Sequence, residues 1–178
     1  MPLCFIALVP PEDLKEKVRS LKEEIHRKYG AKRALRLPAH ITLQPPFKME
    51  SSRLPVLHNT IREFALARHA FPLKLEGFGA FPPRVIYIDV VDPGPLKSLQ
   101  NELLKVLQKD LLTREENLRE FHPHITLATR DIARNRFKAV WEDFRNREFD
   151  ETFIAEGIYL FQHNGKTWDI STEFTFGN

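Results

Sequence analysis

Four residues, His-Ile-Thr-Leu, occur twice in this chain, at His40-Ile41-Thr42-Leu43 and at His124-Ile125-Thr126-Leu127. In an extended strand successive side chains point to opposite faces. Each copy therefore sets an imidazole and a hydroxyl on one face and two aliphatic anchors on the other. Imidazole titrates near pH ~6.5, so of two histidines in one site one can be neutral and the other protonated. The neutral ring takes a proton from an attacking water or hydroxyl, and the charged ring gives one to the leaving oxygen. Each role is worth roughly 10²–10⁴-fold in rate. Threonine hydroxyls can hydrogen-bond the non-bridging oxygens of a phosphate and hold its phosphorus between the histidines. The scheme calls for no metal and no cofactor. A strained 2',3'-cyclic phosphate suits it, because the leaving oxygen then mainly needs a proton.

The elements that must position these side chains recur with them. The motifs lie 84 residues apart, residues 5–14 resemble 87–96, and Glu76-Gly77-Phe78 resembles Glu156-Gly157-Ile158. Three anchors at nearly one offset indicate an internal duplication. Periodicity predicts a strand over 3–9 and a helix over 11–29 striped by Leu14, Val18, Leu21 and Ile25. The first motif strand is expected over 35–44, ended by Pro45-Pro46. A second helix is striped by Leu54, Leu57, Ile61 and Phe64, with Ser51 or Ser52 as its cap, and a strand follows over 71–78. The second copy predicts a strand over 85–91 and a helix striped by Leu96, Leu99, Leu103 and Val106. Then come the motif strand at 122–129, a helix capped by Asp131 and striped by Phe137, Val140, Trp141 and Phe144, and one strand over 152–161. Asn164-Gly165 marks a hairpin turn into a last strand over 167–176. Segments 44–50, 79–84 and 111–121 read as loops.

The expected architecture is α+β, a β-α-β-α-β unit written twice over about 3–81 and 85–161. It should form two pseudo-two-fold-related antiparallel-sheet lobes, helices outside, with a central cleft between the motif strands. One bilobal domain over 1–178 is expected.

With 178 residues and a net charge of +3, the chain can build a real core and tolerate an anionic partner, but its charge does not mark a strong duplex binder. The single cysteine, Cys4, allows no internal disulfide and reads as a buried core thiol. The start lacks the basic flank and apolar run of a signal peptide, and no segment approaches the ~20 apolar residues of a membrane span. A cytoplasmic protein with no membrane association and no obligate protein partner is expected.

The paired motifs and the unit around them resemble the 2H phosphoesterase superfamily. Within it the chain is most similar to the bacterial 2'-5' RNA ligase and RNA 2',3'-cyclic phosphodiesterase group. Residues 3–12 resemble that group's N-terminal strand and turn, and residues 121–128 its second motif. The resemblance implies His40 and His124 as catalytic acid and base, Thr42 and Thr126 on phosphate, and an RNA end or nucleotide as substrate. On residues alone either histidine can take either role; the resemblance favours His124 as base and His40 as acid. Two departures stand out. The group's arginine five residues after the second histidine is replaced by Thr129, with Arg130 one later, which faces the other way unless a bulge intervenes. The group's Lys-Phe-Leu-Gly-like stretch is here Gln44-Pro45-Pro46-Phe47.

Further candidates are weaker. Phe47 and Phe81, each beside prolines, are the better stacking faces for a base, ahead of Tyr87 and Phe161. Arg130 and Arg36 are candidate phosphate contacts. His122 shares parity with His124 and reads as a rim residue, and His163 as a turn residue. Zinc on His122 and His124 lacks the third and fourth ligands it wants. The function read from these residues is a metal-independent phosphodiesterase acting on cyclic or related phosphodiesters of RNA or nucleotides. The rivals are a 2'-5' RNA ligase and a non-catalytic nucleotide or RNA-end binding module.

Overall fold

A computed structural model describes residues 1–111 and 120–177. The elements run β1 (Leu3–Leu8), α1 (Glu12–Tyr29), β2 (Ile41–Lys48), α2 (Leu54–Leu66), β3 (Phe71–Phe81) and β4 (Val85–Val91). They continue with α3 (Gly94–Asp110), β5 (His124–Ala128), α4 (Arg134–Phe144), β6 (Asp150–Ala155), β7 (Gly157–His163) and β8 (Trp168–Thr175). The β-α-β-α-β order is thus traversed twice, β1 to β3 and β4 to β6, with two further strands, β7 and β8, at the end. The expected loop over 111–121 falls mostly on residues 112–119, outside the described residues.

The strands form one antiparallel sheet in the order β6-β3-β4-β5-β2-β1-β7-β8. Its two halves meet at a single bridge, Ile41 to Ile125, between the motif strands. They are therefore lobes of one sheet, and each draws on both repeats. β3 pairs with β4 of the second repeat, and β7 crosses back to pair with β1 of the first.

One core explains the sequence stripes. Leu14, Val18 and Ile25 of α1, Leu57, Ile61 and Phe64 of α2, and Phe137, Val140 and Phe144 of α4 are buried together with Cys4, Ile6, Leu8, Leu43 and Leu127 of the sheet. α1 starts after Pro11, places Glu12 and Asp13 in its first turn, and stops at Gly30 with φ 81°. Acidic residues at the start and a left-handed glycine at the end suit both termini. Arg147 of the α4–β6 connection donates to both Glu24 oxygens at 3.0 and 2.7 Å and to Asp143 at 2.7 Å, tying α1 to α4.

Several expectations are corrected. Residues 33–36 form a 3-10 turn, so the first motif strand begins at Ile41 rather than near 35. It does not stop at Pro45-Pro46. Beyond Ile41 β2 has no recorded partner on its β5 side, and a register shift between Cys4 and Ile6 of β1 takes up the irregularity, so the missing proline N–H groups interrupt no regular ladder. Ser51 and Ser52 lie in a 3-10 turn before α2, which has no side-chain cap. Val106 is 38% exposed, and Leu107 takes its place in the core.

The single strand expected over 152–161 is two strands, β6 on β3 and β7 on β1, divided at Glu156. Gly157 allows the crossing, since a Cβ there would meet the Phe174 carbonyl oxygen at 2.6 Å. Periodicity does not mark the division at Glu156, because burial alternates straight through it from Phe153 to Gly157, and the parity changes only inside β7, where Gly157 and Ile158 are both buried.

Candidate active site

The bridge between Ile41 and Ile125 fixes the local register. Counted one residue to either side, it sets His40 against Thr126 and Thr42 against His124. Each histidine thus faces the other repeat's threonine. On the outer flanks Thr42 is paired with Ala7 and Thr126 with Tyr87, while His124 is paired with Asp89. Directly opposed residues share a face, so these groups gather on the sheet face away from the main core. Neither threonine hydroxyl has a hydrogen-bond partner among the described residues, which leaves both for a ligand.

Both rings are held alike. His40 Nδ1 lies 2.8 Å from the Pro38 carbonyl and His124 Nδ1 lies 2.6 Å from the His122 carbonyl. A carbonyl only accepts, so each Nδ1 carries the proton and donates it, and each Nε2 keeps a lone pair for proton transfer.

Aromatic walls accompany the rings in the same duplicated way. Phe5 and Phe161 lie 5.3 and 5.9 Å from His40. Tyr87 and Phe81, at the corresponding places in the other repeat, lie 5.1 and 5.2 Å from His124. The walls differ in exposure. Phe5 and Phe161 are buried in a small floor with Ala7, whereas Phe81 is 37% exposed. Gly79 is required beside this second wall, because the Tyr87 ring crosses the space a Cβ would fill.

The electrostatics also differ. His40 is pushed down to about 4, first by burial and then, to a smaller degree, by the Lys22 ammonium and His124; the Pro38 carbonyl opposes this. Lys22, 4% exposed, donates to the Leu37 carbonyl at 3.0 Å and is itself lowered to about 8 by burial and by Arg19. Burial lowers His124 as well; there the His122 carbonyl and the Asp89 carboxylate oppose the shift, and the charge of His122 adds to it. His122 Nε2 lies 3.2 Å from Asp89 Oδ1 at the rim. A cavity of about 310 Å³ opens beside the His40 segment, between α1 and residues 35–39, lined by Lys22, Arg36 and Pro38 among others.

The remaining expected contacts separate. Phe47 is 2% exposed within the main core and offers no face to a base. Its strand parity places it inward once β2 continues through the prolines. Arg130 lies beyond the end of β5 with φ 48°, exposed and without a partner among the described residues, so neither strand parity applies to it. Arg36 sits in the 3-10 turn rather than on the strand. His163 packs against Trp168 at 5.0 Å in the final hairpin.

Asp131 does not cap α4. Its Oδ2 accepts from the backbone N–H groups of Lys32 and Arg33, both at 2.7 Å, and so links the exit of the second motif to the turn before the first. Sequence reading missed Lys22, Phe5 and Asp89. Lys22 had a signal: it falls four residues after Val18, on the buried side of α1. Asp89 shares strand parity with Tyr87.

The family model described as the 2'-5' RNA ligase superfamily matches residues 10–167. A Geobacillus sp. (strain WCH70) protein with a phosphoesterase name is 28% identical over 176 residues, covering 97% of this chain and 95% of that one. An Archaeoglobus fulgidus protein named RNA 2',3'-cyclic phosphodiesterase is 28% identical over 127 residues, 69% of each chain. Among solved structures, a Thermus thermophilus protein superposes with TM-score 0.76 at 24% identity, and E. coli LigT complexed with 3'-AMP with TM-score 0.70 at 19%, each covering 100% of both chains. At those identities the two structures support the fold alone.

Proposed function

The chain belongs to the 2'-5' RNA ligase superfamily, and from that premise we propose that it is a phosphodiesterase opening 2',3'-cyclic phosphates, or related phosphodiesters, of RNA or nucleotides. The observation that carries the reading is the pair of Nδ1-anchored imidazoles at the one bridge between the half-sheets, each opposite the other repeat's threonine. The relative named RNA 2',3'-cyclic phosphodiesterase supports the substrate class.

In this reading the phosphate sits over the bridge, its non-bridging oxygens on Thr42 and Thr126. His40 is the base. Its depressed basicity and the Lys22 charge behind it keep Nε2 unprotonated, ready to take a proton from water. His124 is the acid. Asp89 and the bound phosphate both favour its charged form, and it donates to the oxygen that leaves phosphorus. This assignment reverses the one the family resemblance favours and rests on the different surroundings of the two rings. The exposed ring of Phe81 is the stacking face for a base. The two-imidazole route uses no metal.

The test is turnover by the purified protein of cyclic nucleotides, cyclic-phosphate-ended oligoribonucleotides and linear phosphodiesters, with and without chelator. Release of a phosphomonoester is expected, unaffected by chelator. No turnover across the panel would sink the reading. Product analysis with added 5'-hydroxyl ends separates hydrolysis from ligation.

A further inference from the structure

Asp131 brings together two segments that are far apart in sequence and share one character. The first carries Lys32, Arg33 and Arg36, and the second Arg130, Arg134 and Arg136; all six are exposed. The 3-10 turn at Arg33–Arg36 packs against β5, and the Asp131 carboxylate is bonded to the backbone of Lys32 and Arg33. Asp131 is the one acid in residues 30–38 and 129–138. Its Oδ1 is buried and its Oδ2 faces the Lys32 and Arg33 amides, so its charge is turned inward. None of the six side chains has an ion-pair partner among the described residues, whereas Lys17, Lys28, Arg68, Lys74 and Arg147 each do. Glu12 and Glu16 stand on the far rim, across the cavity that Arg36 lines.

Local stability does not account for this arrangement. α4 opens with Arg134 and Arg136, without an acid in its first turn and without a side-chain cap. Cations there oppose the helix dipole. The band also continues from the groove. Arg36 precedes His40 by four residues and Arg130 follows Thr126 by four, on the same side of the bridge. Five of the six are arginines, whose forks match phosphate oxygens bidentately. Among the described residues, no exposed large apolar side chain lies in these segments, which disfavours a membrane or an apolar protein surface as occupant.

We propose that this band is the track for the phosphodiester backbone of a single-stranded RNA whose end occupies the two-histidine groove. The inference rests on the groove being the phosphodiester site proposed above, and it makes an oligonucleotide, rather than a cyclic mononucleotide, the preferred ligand. Counterion release from each neutralised phosphate of a single strand lowers log K by ~0.7 per tenfold rise in salt.

The test compares wild type with the triple variant Arg33→Gln/Arg134→Gln/Arg136→Gln. Binding of a labelled, 3'-phosphate-ended oligoribonucleotide is read by fluorescence anisotropy across a salt series, and turnover of a 2',3'-cyclic mononucleotide is read separately. The expected result is tight, salt-sensitive RNA binding by wild type. The variant should show about tenfold or greater loss with a salt slope shallower by roughly 2, while mononucleotide turnover is kept. RNA affinity and slope unchanged in the variant would overturn the proposal. So would stronger binding to anionic phospholipid vesicles than to RNA, or loss of mononucleotide turnover in the variant. Failure of the parent reading looks different: wild type would turn over neither substrate, whatever the anisotropy reports.

Discussion

His40 and His124 make the same hydrogen bond, Nδ1–H to the carbonyl two residues earlier, at 2.8 and 2.6 Å. This bond fixes the tautomer and aims both Nε2 atoms, while the surroundings set the two rings apart. Behind His40 lie buried rings and an ammonium; beside His124 lie a carboxylate and an exposed phenyl ring.

Replacing either histidine by alanine is expected to lower turnover by about 10²–10⁴-fold without unfolding the chain. Thr42→Val and Thr126→Val should each cost about tenfold, the loss of one hydrogen bond to a charged group. Cyclic-phosphate turnover with circular dichroism checks both. Activity surviving the two histidine variants would remove them from the chemistry.

Stability should fall in mild acid. The folded state holds His40 at about 4 against 6.5 for the free ring. Above pH ~6.5 the ring is neutral in both states and contributes no pH dependence. As pH drops from there toward about 4, the unfolded chain takes the proton first and stability declines. Urea unfolding at about pH 7 and about pH 4.5, on either side of the free-ring value, should show a larger loss for wild type than for His40→Gln. Equal losses would contradict the depressed value.

Lys22→Met removes the buried charge that lowers His40. The acid limb of kcat/KM should move to higher pH, with the methionine filling the space of the lysine stem. An unmoved limb would mean that His40 is not the base.

Gly79→Ala should displace Tyr87, whose ring crosses the position of the new Cβ. A stability loss of about 1–3 kcal/mol is expected from the overpacking, with KM raised more than kcat is lowered as the Phe81–Tyr87 wall shifts. Thermal unfolding and steady-state kinetics would show whether the wall is rigid in this way.

Arg147→Met breaks the bridge from the α4–β6 connection to Glu24 of α1, which holds the Glu24 carboxyl down to about 2. With both side chains less than a third exposed, a cost of about 1–2 kcal/mol is expected. Turnover should be unchanged under conditions where the variant is folded, since neither residue touches the groove. Denaturant titration gives the first value and the standard assay the second.

The sequence by itself determined the local terms. The two motifs, the strand parity that sets each histidine and threonine on one face, and the helix stripes all follow from periods of about 2 and 3.6 residues, which neighbouring side chains reveal. Tertiary structure decided what depends on distant partners. The crossing of β7 to β1 hides in an alternation that runs through Glu156 and breaks only inside β7, and the run of β2 through Pro45-Pro46 depends on which of its edges is paired. Phe47 turned into the core when that strand continued, and Asp131 found its partners far along the chain at Lys32 and Arg33. The same holds for the two histidines. Their chemistry can be read from identical tetrapeptides, but the difference between them cannot, because burial and the nearest charge are properties of the packed fold and not of the motif.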